Sequence, residues 1–263
     1  MRSNLRIFLT CARASFTNMM ADLPVYLFLG VYMPRTILQI LFFTYLAKSA
    51  GGDSLAIFAF VGNLVHTGMM AAMFNTSDTI QAEKWNSTLE YLIAAPSNWV
   101  PSILGKSIAS HVETTLRAIL ACLIMIPLFK LNVSPVMLLR ALPIMVVVIF
   151  SASALGWVIG IISMPIRWGN LILNTLTYTM IILCGINFPL SALPSAVQVI
   201  GNFLPVTHGL LAIRAIIAGA SYSSAFPQIG LEILVGFAYA SLAWFLFGHG
   251  VRITRERGSF QLV

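Results

Sequence analysis

The chain has 263 residues, of which 59% are hydrophobic and only 9% charged, and its mean hydropathy is +0.90. Soluble domains carry about a quarter charged residues, so this chain cannot clothe a water-facing surface, which excludes a soluble enzyme, a nucleic-acid-binding domain and a disordered protein. Fifteen Lys and Arg against eight Asp and Glu leave a net charge of +7, but the basic residues sit between and beside apolar runs, as membrane topology requires and nucleic-acid binding does not.

The reading is therefore an all-α integral membrane protein, a single transmembrane domain over 1–263. Its first 24 residues lack a short apolar core followed by a small-residue cleavage site, so no signal peptide is expected. They carry instead a helical stripe of Leu5, Phe8, Leu9, Ala12, Phe16, Met19, Met20 and Leu23, with Arg6, Thr10, Arg13 and Thr17 opposite. That pattern predicts an amphipathic helix at the inner interface, its arginines toward anionic head groups.

A spanning helix needs roughly 20 mostly apolar residues. Six runs qualify: 25–47, 55–75, 103–129, 141–164, 170–188 and 229–250. The first is expected to be irregular at its inner end, where Pro34 and Arg35 interrupt it. Between the last two, Pro189, Pro194, Pro205 and Pro227 cut an apolar stretch at 189–228 into pieces too short to cross, which reads as outer re-entrant helices. With the N-terminus inside, inner segments hold Arg2, Arg6, Arg13, Lys84, Lys106, Arg167, Arg252, Arg255 and Arg257, and outer segments Lys48, Lys130, Arg140 and Arg214. This imbalance places both termini in the cytoplasm.

The second and third spans are joined by a short amphipathic helix predicted at 79–96. Trp85, Leu89, Leu92 and Ile93 form its apolar stripe, Glu83, Ser87 and Glu90 its polar side, and Pro96 its end. The pattern alone leaves open whether this is a docking element or a plain linker. Cys11, Cys122 and Cys184 are odd in number and far apart, so neither a disulfide nor a metal cluster is expected.

Polar residues inside spans must face protein or water. Glu113 and Arg117 share a face four residues apart, as a lining of a path or interface or as a self-neutralising pair. Asn170, Asn174, Thr177 and Tyr178 recur at i, i+4, i+7 and i+8, and either line a path or bond a neighbouring helix. Ala152, Gly156 and Gly160 form a small-residue face that predicts close helix packing, and Asn63 and His66 read as bundle hydrogen bonds.

The run Glu83-Lys84-Trp85-Asn86-Ser87-Thr88-Leu89-Glu90-Tyr91-Leu92, followed by Ala95-Pro96-Ser97 and Leu104-Gly105-Lys106, resembles the cytoplasmic loop of the type-two ABC exporter permeases. It departs at Ser87, usually Gly in the family, and at Ala95, often Thr. Cys184-Gly185-Ile186-Asn187-Phe188-Pro189, Leu193-Pro194, Asn202 to Thr207, then Arg214, and the basic tail from Arg252, are similar to family segments in the same order. The resemblance implies an export permease with no chemistry of its own, pairing with a second copy or a paralogous permease. It further implies two ATP-binding cassette subunits carrying ATP and Mg, docked on a coupling helix where Glu83, Lys84, Trp85, Leu89 and Glu90 make the contacts. Its substrate class would be a drug, a lipid or a lipid-linked glycan, and its place the bacterial inner membrane. Gly105-Lys106-Ser107 looks like the end of a phosphate loop, but Val100 stands where the first glycine belongs and a span follows, so no nucleotide site is expected on this chain. The competing classes are a free-standing channel or secondary transporter, which leaves the acidic loop without a role, and an intramembrane enzyme, which no catalytic arrangement supports.

Overall fold

The computed structural model describes residues 2–22, 24–85, 100–129, 134–163 and 168–257. Every regular element among them is helical: α1 (Arg2–Asp22), α2 (Val25–Leu27) running into a π-helical turn (Phe28–Tyr32), and α3 (Met33–Trp85). Then come α4 (Val100–Phe129), α5 (Pro135–Ile162), α6 (Gly169–Leu183), α7 (Ser195–Phe203), α8 (Thr207–Ile217) and α9 (Tyr222–Arg257).

The 53 residues of α3 are two helices folded back on each other. Helical geometry fails at Gly51 (φ −149°, ψ 17°) and Gly52 (φ 75°, ψ −160°), the second a conformation open in practice to glycine alone. Gln39 Nε2 and His66 Nδ1 then meet at 2.9 Å, although 27 residues of straight helix would hold them about 40 Å apart. The turn therefore makes an antiparallel hairpin with arms at 33–50 and 53–85. Pro34 does not end the helix, which runs on from Val25 through the π-helical turn into α3. The irregular stretch precedes it, in the π-helical turn.

The second arm runs unbroken to Trp85, so the helix expected to start anew at 79 begins as the last turns of this arm. Residues 86–99, with Leu89 and Glu90, lie outside the described residues. Four helices are long and apolar enough to cross a membrane, at Val25–Glu83, Val100–Leu128, Val136–Ile162 and Tyr222–His249, and α7 with α8, bent by 92°, would count as a fifth if taken as one span. Since the first contains the hairpin, it supplies two passages' worth of length.

The core forms where the second arm crosses α5 and α8. Phe60, Val61, Val65, Met69 and Met73 pack against Ile144, Val148, Ile149 and Ala152, with Leu210, Ile213 and Ile216 closing one side. A second cluster, Ile80, Ile103, Trp157, Val158, Ala243 and Phe247, joins the arm's far end to α4, α5 and α9. Helix α4 packs on α1 and the hairpin rather than on α5. Apolar grooves of about 630 and 370 Å³ lie along the gap between α4 and α5.

The N-terminal helix α1 seats on the start of α4 through Phe8, Cys11, Ala12 and Ser15, a face that shares Phe8 and Ala12 with the expected stripe. A Cβ at Gly105 would fall 2.6 Å from the Phe8 carbonyl oxygen and 2.9 Å from Cys11 Cβ, so glycine permits the contact. Ser15 Oγ donates to the Lys106 carbonyl at 2.5 Å. Leu5, Leu9 and Met20 stay exposed. Helix α6 is 15 residues long, about 22 Å, which is short of the roughly 30 Å hydrocarbon core. It ends at Leu183, five residues before the expected end of its span.

Candidate functional site

Two polar stripes face each other across the end of the hairpin. On the second arm, Asn75, Asp78, Thr79, Ala82 and Glu83 recur at i, i+3, i+4, i+7 and i+8, one face of a helix. On α4, Lys106, Ser110, Glu113 and Arg117 do the same at i, i+4, i+7 and i+11. With α1 and Tyr32 they enclose a cleft of about 600 Å³. It continues into a smaller one of about 230 Å³, lined by Arg35, Gln39, Thr67, Asn174 and others, because Tyr32, Asn75 and Arg117 line both.

The charges in this cleft are mostly neutralised in place. Arg117 Nε donates to Glu113 Oε1 at 2.9 Å and Nη2 donates to the same oxygen. The Arg117 guanidinium also lies 5.2 Å from the centre of the Tyr32 ring, within cation–π range. Glu83 and Lys106 form the second ion pair. Asp78 is different: its Oδ1 is buried and has no hydrogen-bond partner. Among the described residues, no group of three or more His, Cys, Asp and Glu side chains is placed to hold a metal ion.

Glu83, expected on the polar side of a separate helix, belongs to the end of the second arm. It is buried, with 9% of its surface exposed, because the helix is still α3 at this point and its phase turns the side chain toward α4. The carboxylate meets Lys106 there, so it ties the end of the second arm to α4. Lys84 and Trp85 form the last turn of α3.

The polar residues of α6 do not act as one face. Asn174 lines the smaller cleft and donates to the Asn170 carbonyl at 2.8 Å. Thr177 is buried and bonds the Leu173 carbonyl at 2.7 Å, whereas Asn170 and Tyr178 are exposed. Ala152, Gly156 and Gly160 lie on α5 where it crosses the second arm, and a Cβ at Gly156 would fall 2.2 Å from Thr76 Oγ1 and 2.6 Å from the Met73 carbonyl oxygen. Asn63 donates to Asn187 Oδ1 at 2.7 Å.

Two side chains hold the bundle's broken passage: Arg214, which the sequence set among the family-like segments, and Glu232, which it did not single out. Glu232, a lone acid near the start of the last apolar run, is fully buried. Its Oε1 accepts from Ser151 Oγ and from the Val206 N–H at 2.6 Å, and its Oε2 accepts from the Gly209 N–H at 2.8 Å. The carboxylate thus caps the N-terminus of α8, where unpaired N–H groups favour a negative charge. It also holds Val206 at φ 81°, a strained value for a β-branched residue, at the corner between α7 and α8. Arg214 does the opposite at the end of α6. Its guanidinium donates to the Gly185 and Ile186 carbonyls, each at 2.8 Å, and lies 3.4 Å from the centre of the Phe58 ring. A lone acid inside an apolar run was the available signal for Glu232, but its backbone partners leave no trace in sequence.

A search of curated proteins returned no significant match. The family model for the ABC-2 type transporter matches residues 6–218, a range that holds most of α1, the hairpin, the polar cleft and the broken passage through α8. By that match over most of its length, the chain belongs to the ABC-2 type transporter family, as a membrane permease component with no catalysis of its own.

Proposed function

We propose that this permease is the path-forming subunit of an ATP-driven exporter of amphipathic or lipid-like molecules. It works as a pair, with a second copy or a paralogous permease, and two ATP-binding cassette subunits carry the ATP and Mg. Six passages fit the fold: the two arms of the hairpin, α4, α5, α9, and one broken passage in which α6 and α8 each cover part of the depth. The basic-residue imbalance argues for both termini in the cytoplasm of a bacterial inner membrane, with the re-entrant helices on the outer side.

The observation that carries this reading is the polar cleft of about 600 Å³ and its position. A membrane helix cannot leave a charged stripe facing lipid, so the stripes on the second arm and α4 need water or cargo between them. The arm's wall of the cleft ends at Glu83, the residue before the segment at 84–99, where Lys84, Trp85, Leu89 and Glu90 are the proposed contacts for the ATP-binding subunit. A push on that segment reaches the arm and α4 together, because the Glu83–Lys106 pair joins them. The cleft would then change shape while its two walls keep their register.

The test is a Leu89→Asp, Glu90→Lys double variant, which removes the apolar anchor and reverses the charge. Single exposed charges are often worth little, hence the paired change. Co-purification of the ATP-binding subunit, or substrate-stimulated ATP hydrolysis, should be lost while the permease still inserts. Assembly and coupling at the wild-type level would show that the segment is only a linker.

A further inference from the structure

Three carboxylates line the cleft, and the bundle supplies cations for two of them. Glu113 has Arg117 one turn away, and Glu83 has Lys106 across the cleft. Asp78, half-buried and five residues before Glu83 on the second-arm stripe, has neither a cation nor a hydrogen-bond donor among the described residues, and its Oδ1 is closed off from solvent. A buried oxygen without a donor is unusual enough to need an explanation, and a partly buried carboxylate without a counter-charge costs more still. The surroundings narrow what can supply the missing charge. A hard divalent metal takes six or more oxygen ligands, and among the described residues no group of three or more His, Cys, Asp and Glu side chains gathers around Asp78. A lone water brings no charge. The cleft volume suits a drug-sized molecule, and Tyr32, Met19 and Ala82 give it apolar wall beside the carboxylate.

We propose that the cleft binds an amphipathic organic cation, whose positive group pairs with Asp78 and whose apolar body lies along Tyr32 and Met19. This assigns a substrate class to the path proposed above and rests on that reading. The cation completes the third ion pair of the cleft, so a loaded permease carries no uncompensated acid on this stripe and an empty one does. Neutral or anionic molecules of the same size gain only the apolar contacts.

The experiment uses full-length permease in detergent without any ATP-binding subunit, so its outcome is independent of the assembly test. The probes are tetraphenylphosphonium and tetraphenylborate, a cation and an anion of nearly the same size and shape. Wild-type protein should bind the cation in preference to the anion, Asp78→Asn should weaken the cation at least about tenfold, and Asp78→Glu should retain it. Anion binding should not respond to either change. If Asp78→Asn fails to fold, the wild-type protein still gives an answer: saturating tetraphenylphosphonium should slow carbodiimide modification of Asp78, read by mass spectrometry. Equal binding of both ions, unchanged cation binding in Asp78→Asn, or a modification rate indifferent to the cation would each overturn the proposal.

Discussion

Replacing Gly156 by alanine should be the most damaging of three single-methyl additions along the bundle. The added Cβ would meet Thr76 Oγ1 at 2.2 Å, the Met73 carbonyl oxygen at 2.6 Å and Met73 Cα at 2.9 Å. Two of these atoms are backbone, so rotation of one side chain cannot relieve the contact and the second arm must move away from α5. Overpacking of this kind costs about 1–3 kcal/mol, well beyond the roughly 0.5–1 kcal/mol that alanine gains over glycine within a helix. At Gly160 the nearest atoms are Ser77 Cα at 3.0 Å, the Ser77 carbonyl oxygen at 3.1 Å and Ile80 Cδ1 at 3.4 Å. A shift of a few tenths of an ångström suffices there, and the two effects roughly cancel. Gly248 has nothing within 4 Å, so alanine should leave stability unchanged or slightly raised. Unfolding of the purified permease by sodium dodecyl sulfate should therefore rank Gly248→Ala at or above wild type, Gly160→Ala near it and Gly156→Ala clearly below. Wild-type stability for Gly156→Ala would mean that the second arm and α5 are not in contact at this point.

The cap on α8 gives a further prediction: Glu232→Gln keeps one acceptor but turns an amide donor toward a backbone N–H. It should cost about 1–3 kcal/mol and make a cysteine placed at the buried Thr207 position open to labelling, and an unchanged labelling rate there would show that the cap does not hold the corner. Topology can be read in a cysteine-free background from the exposed positions Ser49, Ser223 and Arg252. An impermeant maleimide should reach cysteines at 49 and 223 from outside the cell and one at 252 only from inside, and outside labelling at 252 would invert the orientation.

What the sequence made readable was what one helix contains. The spacing of Glu113 and Arg117 is geometry within a single helix, so the ion pair needs no knowledge of the rest of the fold. Gly156 and Gly160 mark a close approach for the same reason, although the partner arm cannot be named from them. Glu83 was misplaced because the pattern was divided at 79 into a span and a separate helix, whereas α3 carries its phase through to Trp85. Its partner, Lys106, lies 23 residues on and in another helix, a relation that periodicity does not encode. The α6 stripe has helical spacing, but a helix too short to cross ends among other elements, and of its polar residues Asn174 lines the smaller cleft while Thr177 is buried. Glu232 and Arg214 bind backbone groups, so no complementary residue type marks their partners.

The two caps also set an order of assembly. Until α9 enters the bundle with Glu232, the first N–H groups of α8 have no acceptor from that side chain, and the Val206 corner has nothing to hold its strained angle. Arg214 finds Phe58 only once the hairpin is in place. The hairpin, made of local contacts and synthesised first, can form early. The stretch from Cys184 to Ile217 cannot settle at depth until the last helix arrives behind it, so it is finished after the helix that follows it in sequence.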